Sequence, residues 1–229
     1  MKCLFLSDAH YPFGSYIADF LLDVYYQYDS VYILGDLFEF YYGYKGFIYP
    51  HHRKLITVLS LIAKRRRLVL FEGNHEYRLK NIREFVDAEV VYEFKEETID
   101  EFKVFLAHGD TIDVNDKAYR LFRAFLKNRI TLDFINCCVS KNVLLKLSRI
   151  ASDFSKNNLR DKNYRRTSAA LEKFAEKKIE EGFNVVILAH THQPVFKKIK
   201  NGLYINTGEF INNPTYAVYE NGRFELKSI

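Results

Sequence analysis

Five short apolar runs in this chain each break off into a cluster of oxygen or imidazole side chains, and that recurrence restricts the fold more than any other feature. Cys3 to Leu6 leads into Ser7-Asp8-Ala9-His10, Val31 to Leu34 into Gly35-Asp36, and Leu68 to Phe71 into Gly73-Asn74-His75-Glu76. Lys103 to Leu106 leads into His108-Gly109-Asp110, and Val185 to Leu188 into His190-Thr191-His192. Brief β-branched or leucine-rich runs bounded by turn-prone residues read as buried strands. Between the first three, Ile17 to Tyr28 and His52 to Lys64 carry helical spacing, with Leu55, Val58, Leu59 and Ile62 on one face. Strand, helix, strand, helix predicts an α/β sheet with covering helices. In such sheets ligands bind beyond the carboxyl ends of the strands, so the five clusters can converge on one crevice.

More strand-like runs follow at Val90 to Tyr92, Tyr204 to Asn206 and Tyr216 to Tyr219, and Asn201-Gly202 and Asn221-Gly222 predict hairpins. Between Asp113 and Glu181 the strand signal vanishes. A helix capped by Asp113 or Asn115 is predicted through Lys127, with others over Val143 to Phe154 and Ser168 to Glu181 and a break around Thr131. The 229 residues suffice for one domain plus an insertion. We therefore expect a core of residues 1–112 and 182–229, with 113–181 as a helical cap.

Composition narrows the setting without choosing a function. A net charge of +5 suits phosphate esters, nucleic acid or acidic headgroups alike. No run reaches the ~18 apolar residues of a membrane span; Leu55 to Ala63 is bounded by Lys54 and Lys64. The apolar start is too short for a secretory signal, and Asp8 interrupts it. Cys3, Cys137 and Cys138 fall at neither zinc-binding nor disulfide spacing and read as buried thiols of a reducing compartment, so a cytoplasmic location is expected.

Carboxylate, imidazole and amide oxygen together suit divalent ions such as manganese, iron or zinc. One carboxylate can bridge two ions about 3.5–4 Å apart, which clamp a phosphate and generate hydroxide near neutral pH. Five of the seven histidines stand in the clusters, whereas His51 and His52 precede a helix and read as exposed or capping residues. Singly, an Asp-x-His or His-x-His is as well explained by a structural role. In combination, the order Asp-x-His, Gly-Asp, Gly-Asn-His-Glu, His-Gly-Asp, His-x-His resembles the calcineurin-like metallophosphoesterase superfamily from Asp8 to His192, with Ala189 where a glycine is usual.

That resemblance implies an αββα sandwich with a helical cap. It implies a first ion on Asp8, His10, Asp36 and His192, and a second on Asn74, His108 and His190 with Asp36 as bridge. Manganese is expected, with iron, zinc or magnesium as alternatives. His75 would contact the phosphate and protonate the leaving group, or serve only as a phosphate contact.

The flanks Gly35-Asp36-Leu37-Phe38-Glu39-Phe40, His108-Gly109-Asp110-Thr111, Asp116, Tyr119, Phe122 and Arg123, and the tail Tyr204 to Phe210, are similar to UDP-2,3-diacylglucosamine pyrophosphohydrolases of lipid A synthesis. The likeness implies an amphiphilic nucleotide-sugar lipid substrate, cleaved to UMP and 2,3-diacylglucosamine 1-phosphate, and peripheral contact with the inner membrane surface. His75-Glu76 departs from the Arg-Asp of that family's best-studied branch. Substrate contacts are expected from Asn74, Tyr119 and Arg123, and from the basic cluster Arg160, Lys162, Arg165 and Arg166, which otherwise reads as a solvated helix face.

The many apolar residues from Leu121 to Ile150 either hold acyl chains or form the cap's own core. The aromatic loop of Phe40, Tyr41, Tyr42, Tyr44, Phe47 and Tyr49 either borders the site or packs on a neighbouring helix. No extended basic, aromatic-interleaved groove suggests nucleic acid. A soluble nucleotide, phosphodiester or phosphoprotein substrate, and a non-catalytic scaffold, remain the rival readings.

Overall fold

The apolar runs form strands, and the strands sort into two large sheets, with Tyr41–Tyr42 and Glu76–Tyr77 pairing apart from them as a two-stranded ribbon. A computed structural model of the protein describes residues 1–113, 117–143, 145–146 and 160–229, with backbone alone at 117–119, 122 and 160–164. The first half runs β1 (Cys3–Leu6), α1 (Tyr16–Val24), β2 (Ser30–Ile33), β3 (Tyr41–Tyr42), α2 (Arg53–Ala63), β4 (Arg67–Phe71), β5 (Glu76–Tyr77), β6 (Glu89–Val91), β7 (Phe94–Ile99) and β8 (Phe102–Ala107). The helices α3 (Lys117–Lys127), α4 (Arg129–Cys138) and α5 (Arg160–Glu180) follow, then β9 (Val185–Leu188), β10 (Val195–Ile199), β11 (Gly202–Asn206), β12 (Thr215–Glu220) and β13 (Arg223–Ser228).

One sheet has the order β13-β12-β1-β2-β4-β6 and the other β10-β11-β9-β8-β7. Strand side chains alternate between faces. Cys3, Phe5, Tyr32 and Val69 therefore meet Val104, Leu106, Val185 and Ile187 of the second sheet. Leu4, Leu6, Val31 and Leu70 point the other way, onto Ile17 and Leu21 of α1 and Leu55 and Leu59 of α2. On the far side, Phe105, Val186 and Leu188 pack on Leu171, Ala175 and Ile179 of α5. Helix, sheet, sheet, helix is the expected αββα sandwich. Burial on both faces explains why these strands read as unbroken apolar runs. The adjacent β1, β2 and β4 are parallel, as are β8, β9 and β11, so their carboxyl ends gather at one rim.

The edge strands β7, β10 and β13 escaped the sequence reading because charges such as Lys95, Glu97, Lys197 and Lys198 interrupt their pattern. Charged edges of this kind resist pairing with other chains. The second hairpin turns at Asn221-Gly222, both with positive φ, as read. In the first, Ile199 pairs with Gly202, so the turn is Lys200-Asn201, one residue early. The helical break falls at Asn128 rather than around Thr131, because the Asn128 side chain accepts the Ile130 N–H at 2.8 Å. The predicted helix over Val143 to Phe154 and the cap residues Asn115 and Asp116 lie largely outside the described residues. Helix α5 starts well before Ser168, and its second half covers the second sheet.

Of the two readings of the aromatic loop, packing on a neighbouring helix holds: Tyr41, Tyr42, Tyr44 and Tyr49 are buried, and the last three pack with Leu132 of α4, so this loop carries the cap. The Tyr42 hydroxyl donates to the Leu132 carbonyl, and Tyr44 to that of Val139. Two further expectations, on His52 and on the cysteines, need correction. His52 is buried, its ring 4.6 Å from Phe38 and 5.6 Å from Tyr49, and burial lowers its pKa to about 3. Cys3 is buried, but Cys137 and Cys138 are exposed on the last turn of α4.

Candidate metal centre

The polar clusters leave the strands through strained backbone. Asp8, His10, Asp36, His190 and His192 have φ of 51°, 45°, 49°, 72° and 55°. This left-handed region costs a non-glycine residue about 1 kcal/mol or more, and such strain collects at functional sites. The sandwich holds the loops there: Asp8 N–H donates to the Gly35 carbonyl at 3.1 Å and His10 N–H to that of Asp36 at 3.0 Å. Gly73 is required by space, since a Cβ would stand 2.2 Å from Asp36 Oδ1.

Each carboxylate has one oxygen fixed by the backbone and one turned to the imidazoles. Asp8 Oδ2 accepts the His190 N–H at 3.1 Å, while Oδ1 faces His192 Nε2 at 3.3 Å and His10 Nε2 at 3.9 Å. Asp36 Oδ1 accepts the His75 N–H at 2.9 Å, while Oδ2 faces His108 Nε2 at 3.4 Å and His10 Nε2 at 3.9 Å. His108 Nε2 lies 3.2 Å from Asn74 Oδ1. Asp8, His10 and His192 make one candidate metal group, and Asp36, His108 and His190 a second. Asp36 Oδ2 stands between them.

These spacings fit an ion, because ligand atoms ~2.1 Å from one centre lie ~3.0–3.4 Å from each other in octahedral or tetrahedral array. Asp8 Oδ1 and His10 Nε2 are buried with no hydrogen-bond partner among the described residues. Leaving such groups unsatisfied is expensive, and a shared cation satisfies both.

The far nitrogens fix the ring orientations. His108 Nδ1 lies 2.8 Å from the Leu34 carbonyl and donates to it, which leaves the Nε2 lone pair for the centre. His10 Nδ1 meets Glu39 Oε2 at 3.1 Å, His192 Nδ1 meets Glu209 Oε2 at 3.1 Å, and His75 Nδ1 donates to the Glu39 carbonyl at 2.7 Å. Glu76, wholly buried, accepts the N–H groups of Asp36 (3.0 Å), Gly73 (2.8 Å) and Phe38 (3.1 Å), tying the loops after β2 and β4 together. Glu39, Glu76 and Glu209 all stand within the motifs or their flanks, yet nothing in the local sequence marks them as anchors.

Burial opposes charging throughout, and the sites divide by neighbours. Despite it, the facing His108, His75 and His10 hold Asp36 well below the usual carboxylate range, and Asp36 in turn raises His108 to about 10. Burial, with His108 alongside, pushes His190 down to about 4, and burial, with His75 and His192 alongside, lowers His10. Against burial, Asp8 and Glu209 raise His192, and Asp36 and the Glu39 carbonyl raise His75. A divalent ion would displace protons from the ligating nitrogens.

The cap residues reach this rim through carboxylates. Arg123 Nε lies 2.5 Å from Asp110 Oδ2, and Arg166 Nε 3.0 Å from Asp113 Oδ2. Arg165 is exposed. Tyr119, Arg160 and Lys162 stand on α3 and α5, but their side chains lie outside the described residues. Lys127, which the sequence reading passed over, donates to the Gly73 carbonyl at 2.6 Å and to Glu72 Oε1 at 3.0 Å.

The family model for calcineurin-like phosphoesterases matches residues 1–194, which include every cluster above. A UDP-2,3-diacylglucosamine hydrolase of Shewanella sp. (strain ANA-3) is 26% identical over 246 aligned positions, across 100% of this chain and 98% of that protein. One from Haemophilus influenzae (strain PittGG) is 24% identical, across 92% of this chain and 89% of the relative. Among solved structures, a novel archaeal phosphodiesterase superposes with a TM-score of 0.51 at 16% identity over the whole of both chains, a likeness of fold.

Proposed function

The chain belongs to the calcineurin-like phosphoesterase family and is a metal-dependent hydrolase, and from that premise we propose that it cleaves the diphosphate of UDP-2,3-diacylglucosamine to UMP and 2,3-diacylglucosamine 1-phosphate. The observation that carries the two-ion part is Asp36 Oδ2, turned to His108 on one side and His10 on the other. Asp8, His10, Asp36 and His192 would hold one ion and Asp36, Asn74, His108 and His190 the other. Two divalent ions, manganese before iron, zinc or magnesium, supply charge on the phosphoryl oxygens and hydroxide near neutral pH.

The chain's own residues do the rest. Backbone N–H groups on Asp8 Oδ2 and Asp36 Oδ1 keep both carboxylates aimed, so no reorganisation is needed as charge develops. His75, its Nδ1–H spent on the Glu39 carbonyl, presents Nε2 to the leaving oxygen. Against burial, Asp36 and the Glu39 carbonyl raise its pKa, a direction that favours the protonated ring a general acid needs. The exposed apolar residues Leu121, Phe125 and Phe134 offer surface to acyl chains and to the membrane from which they come, on the cytoplasmic side. None of the helices among the described residues is long and apolar enough to cross a membrane.

Incubating the purified protein with this lipid nucleotide and manganese should release UMP. Release no faster than in a metal-free control overturns the substrate. His75-Glu76, where the best-studied branch has Arg-Asp, favours a soluble phosphodiester or nucleotide as second reading. Equal turnover of a deacylated analogue would select it.

A further inference from the structure

The loop from β4 to β5 carries Asn74, His75 and Glu76, and the core pins it at several points. Gly73 N–H ends on Glu76, His75 N–H on Asp36, and the His75 ring on the Glu39 carbonyl. One more hold comes from the cap. Lys127, the last residue of α3, donates to the Gly73 carbonyl at 2.6 Å and to Glu72 Oε1 at 3.0 Å. The other Glu72 oxygen accepts the Leu79 N–H at 2.8 Å, so Glu72 spans the loop from end to end. Both side chains are largely withdrawn from solvent, at 14% and 7% exposed. The Gly73 peptide has no slack, because it is packed against Asp36 too closely for a Cβ. A shift of its carbonyl therefore moves Asn74, the next residue, whose Oδ1 lies 3.2 Å from His108 Nε2.

We propose that Lys127 is a positioning residue that couples docking of the cap to the second ion's site. Docked, α3 holds Asn74 in register with His108. Undocked, α3 leaves Glu72 a buried carboxylate without its cation and the Gly73 carbonyl without this donor, a penalty the loop relieves by moving. Coupling of two events is reciprocal, so an ion on Asn74, Asp36, His108 and His190 must favour the docked cap by the same factor. This rests on the two-ion reading and adds to it a link between metal and lid.

The test uses Lys127→Met, which keeps the apolar stem without the ammonium, and Glu72→Gln, which keeps the acceptor for Leu79 without the charge. Manganese titration calorimetry is run beside amide hydrogen exchange of α3 with and without manganese. The wild type should bind two ions, and manganese should slow exchange in α3. In each variant one site should weaken about tenfold or more, the loss typical of a ligand's supporting partner, while the other stays unchanged and the protection of α3 disappears. The double variant should be no worse than Lys127→Met alone. Unchanged affinity at both sites in Lys127→Met, or wild-type exchange in α3 indifferent to manganese, overturns the coupling. A wild type that takes up fewer than two ions overturns the two-ion reading itself, and the coupling with it.

Discussion

The rim loops and the cap hairpin are both polar and apolar in mixture, but they spend those side chains in opposite ways. At the rim, His10, His75, His108 and His192 each have the far nitrogen held by an oxygen, and the carboxylates of Asp8 and Asp36 are each held by an N–H. In α3 and α4, Leu121, Phe125, Ile130 and Phe134 stand exposed, while contact with the core comes from Arg123, Lys127, the Tyr42 and Tyr44 hydroxyls and the packing of Leu132 on Tyr42, Tyr44 and Tyr49. A site that must place charge is over-determined by hydrogen bonds. A surface that must take up a flexible apolar partner is left uncovered. Substitutions in the two regions should therefore fail differently.

The largest effect is expected at the rim's centre. Asp36→Ala removes the oxygen shared by the two groups, so manganese uptake should drop from two ions and turnover should fall by about 10³-fold or more, beyond the loss of a single charge-stabilising donor. Stability of the metal-free protein should fall as well, because the change leaves the buried His108 imidazole without the carboxylate that faces it and the His75 N–H without its acceptor. Activity within tenfold of wild type, measured with saturating manganese, would break the picture of a bridged pair.

Legibility in the sequence followed the same division. The sandwich could be read because β1, β2, β4, β9 and the second half of β8 are apolar on both faces, and the ligand set because every member follows one of those five runs. The anchors could not. Glu209 serves His192 and Glu72 serves Lys127 across 17 and 55 residues, and contacts so far apart leave no local period or spacing. His52 stands before a helix among polar neighbours and reads as exposed or capping; it does occupy the N-cap position, without a side-chain cap bond, and only the packing of Phe38 and Tyr49 around it shows that the ring is buried. Cys137 and Cys138 erred in the opposite sense, since an apolar-looking stretch of α4 turned out to face solvent at its last turn.

His52 supplies the next test, of how rigid the core beneath the cap loop is. Its ring is buried and neutral, with the folded pKa near 3 against 6.5 in the unfolded chain. Below pH 6.5 the unfolded state takes up a proton that the folded state refuses, so this depressed group contributes stability that is present above 6.5 and lost as pH falls toward 3. The loss should approach about 1.4 kcal/mol per pH unit, or roughly 2.7 kcal/mol at pH 4.5. In His52→Phe that share of the acid sensitivity should vanish, while Tm at pH 8 should change little. Denaturant unfolding at pH 4.5 and 8 measures it. Identical pH slopes in the two proteins would mean that the ring is hydrated and the loop under the cap is looser than the rim.

The smallest effect on stability, and the sharpest on specificity, belongs to the cap. Leu121 and Phe125 are 75% and 63% exposed on α3. Replacing both by serine removes apolar surface that the folded chain barely buries, so unfolding free energy should move by no more than about 0.5 kcal/mol per site. The same pair, if it receives acyl chains, would otherwise gain on the order of 1.5 kcal/mol per side chain when covered, which corresponds to a KM for the diacyl nucleotide raised about tenfold or more. The deacylated analogue should show no such change, because it presents nothing for these side chains to cover. Parallel KM measurements on the two substrates separate a lipid-gripping face from bare solvent-exposed helix, and equal KM for wild type and variant on the diacyl form would assign the apolar face of α3 no part in holding substrate.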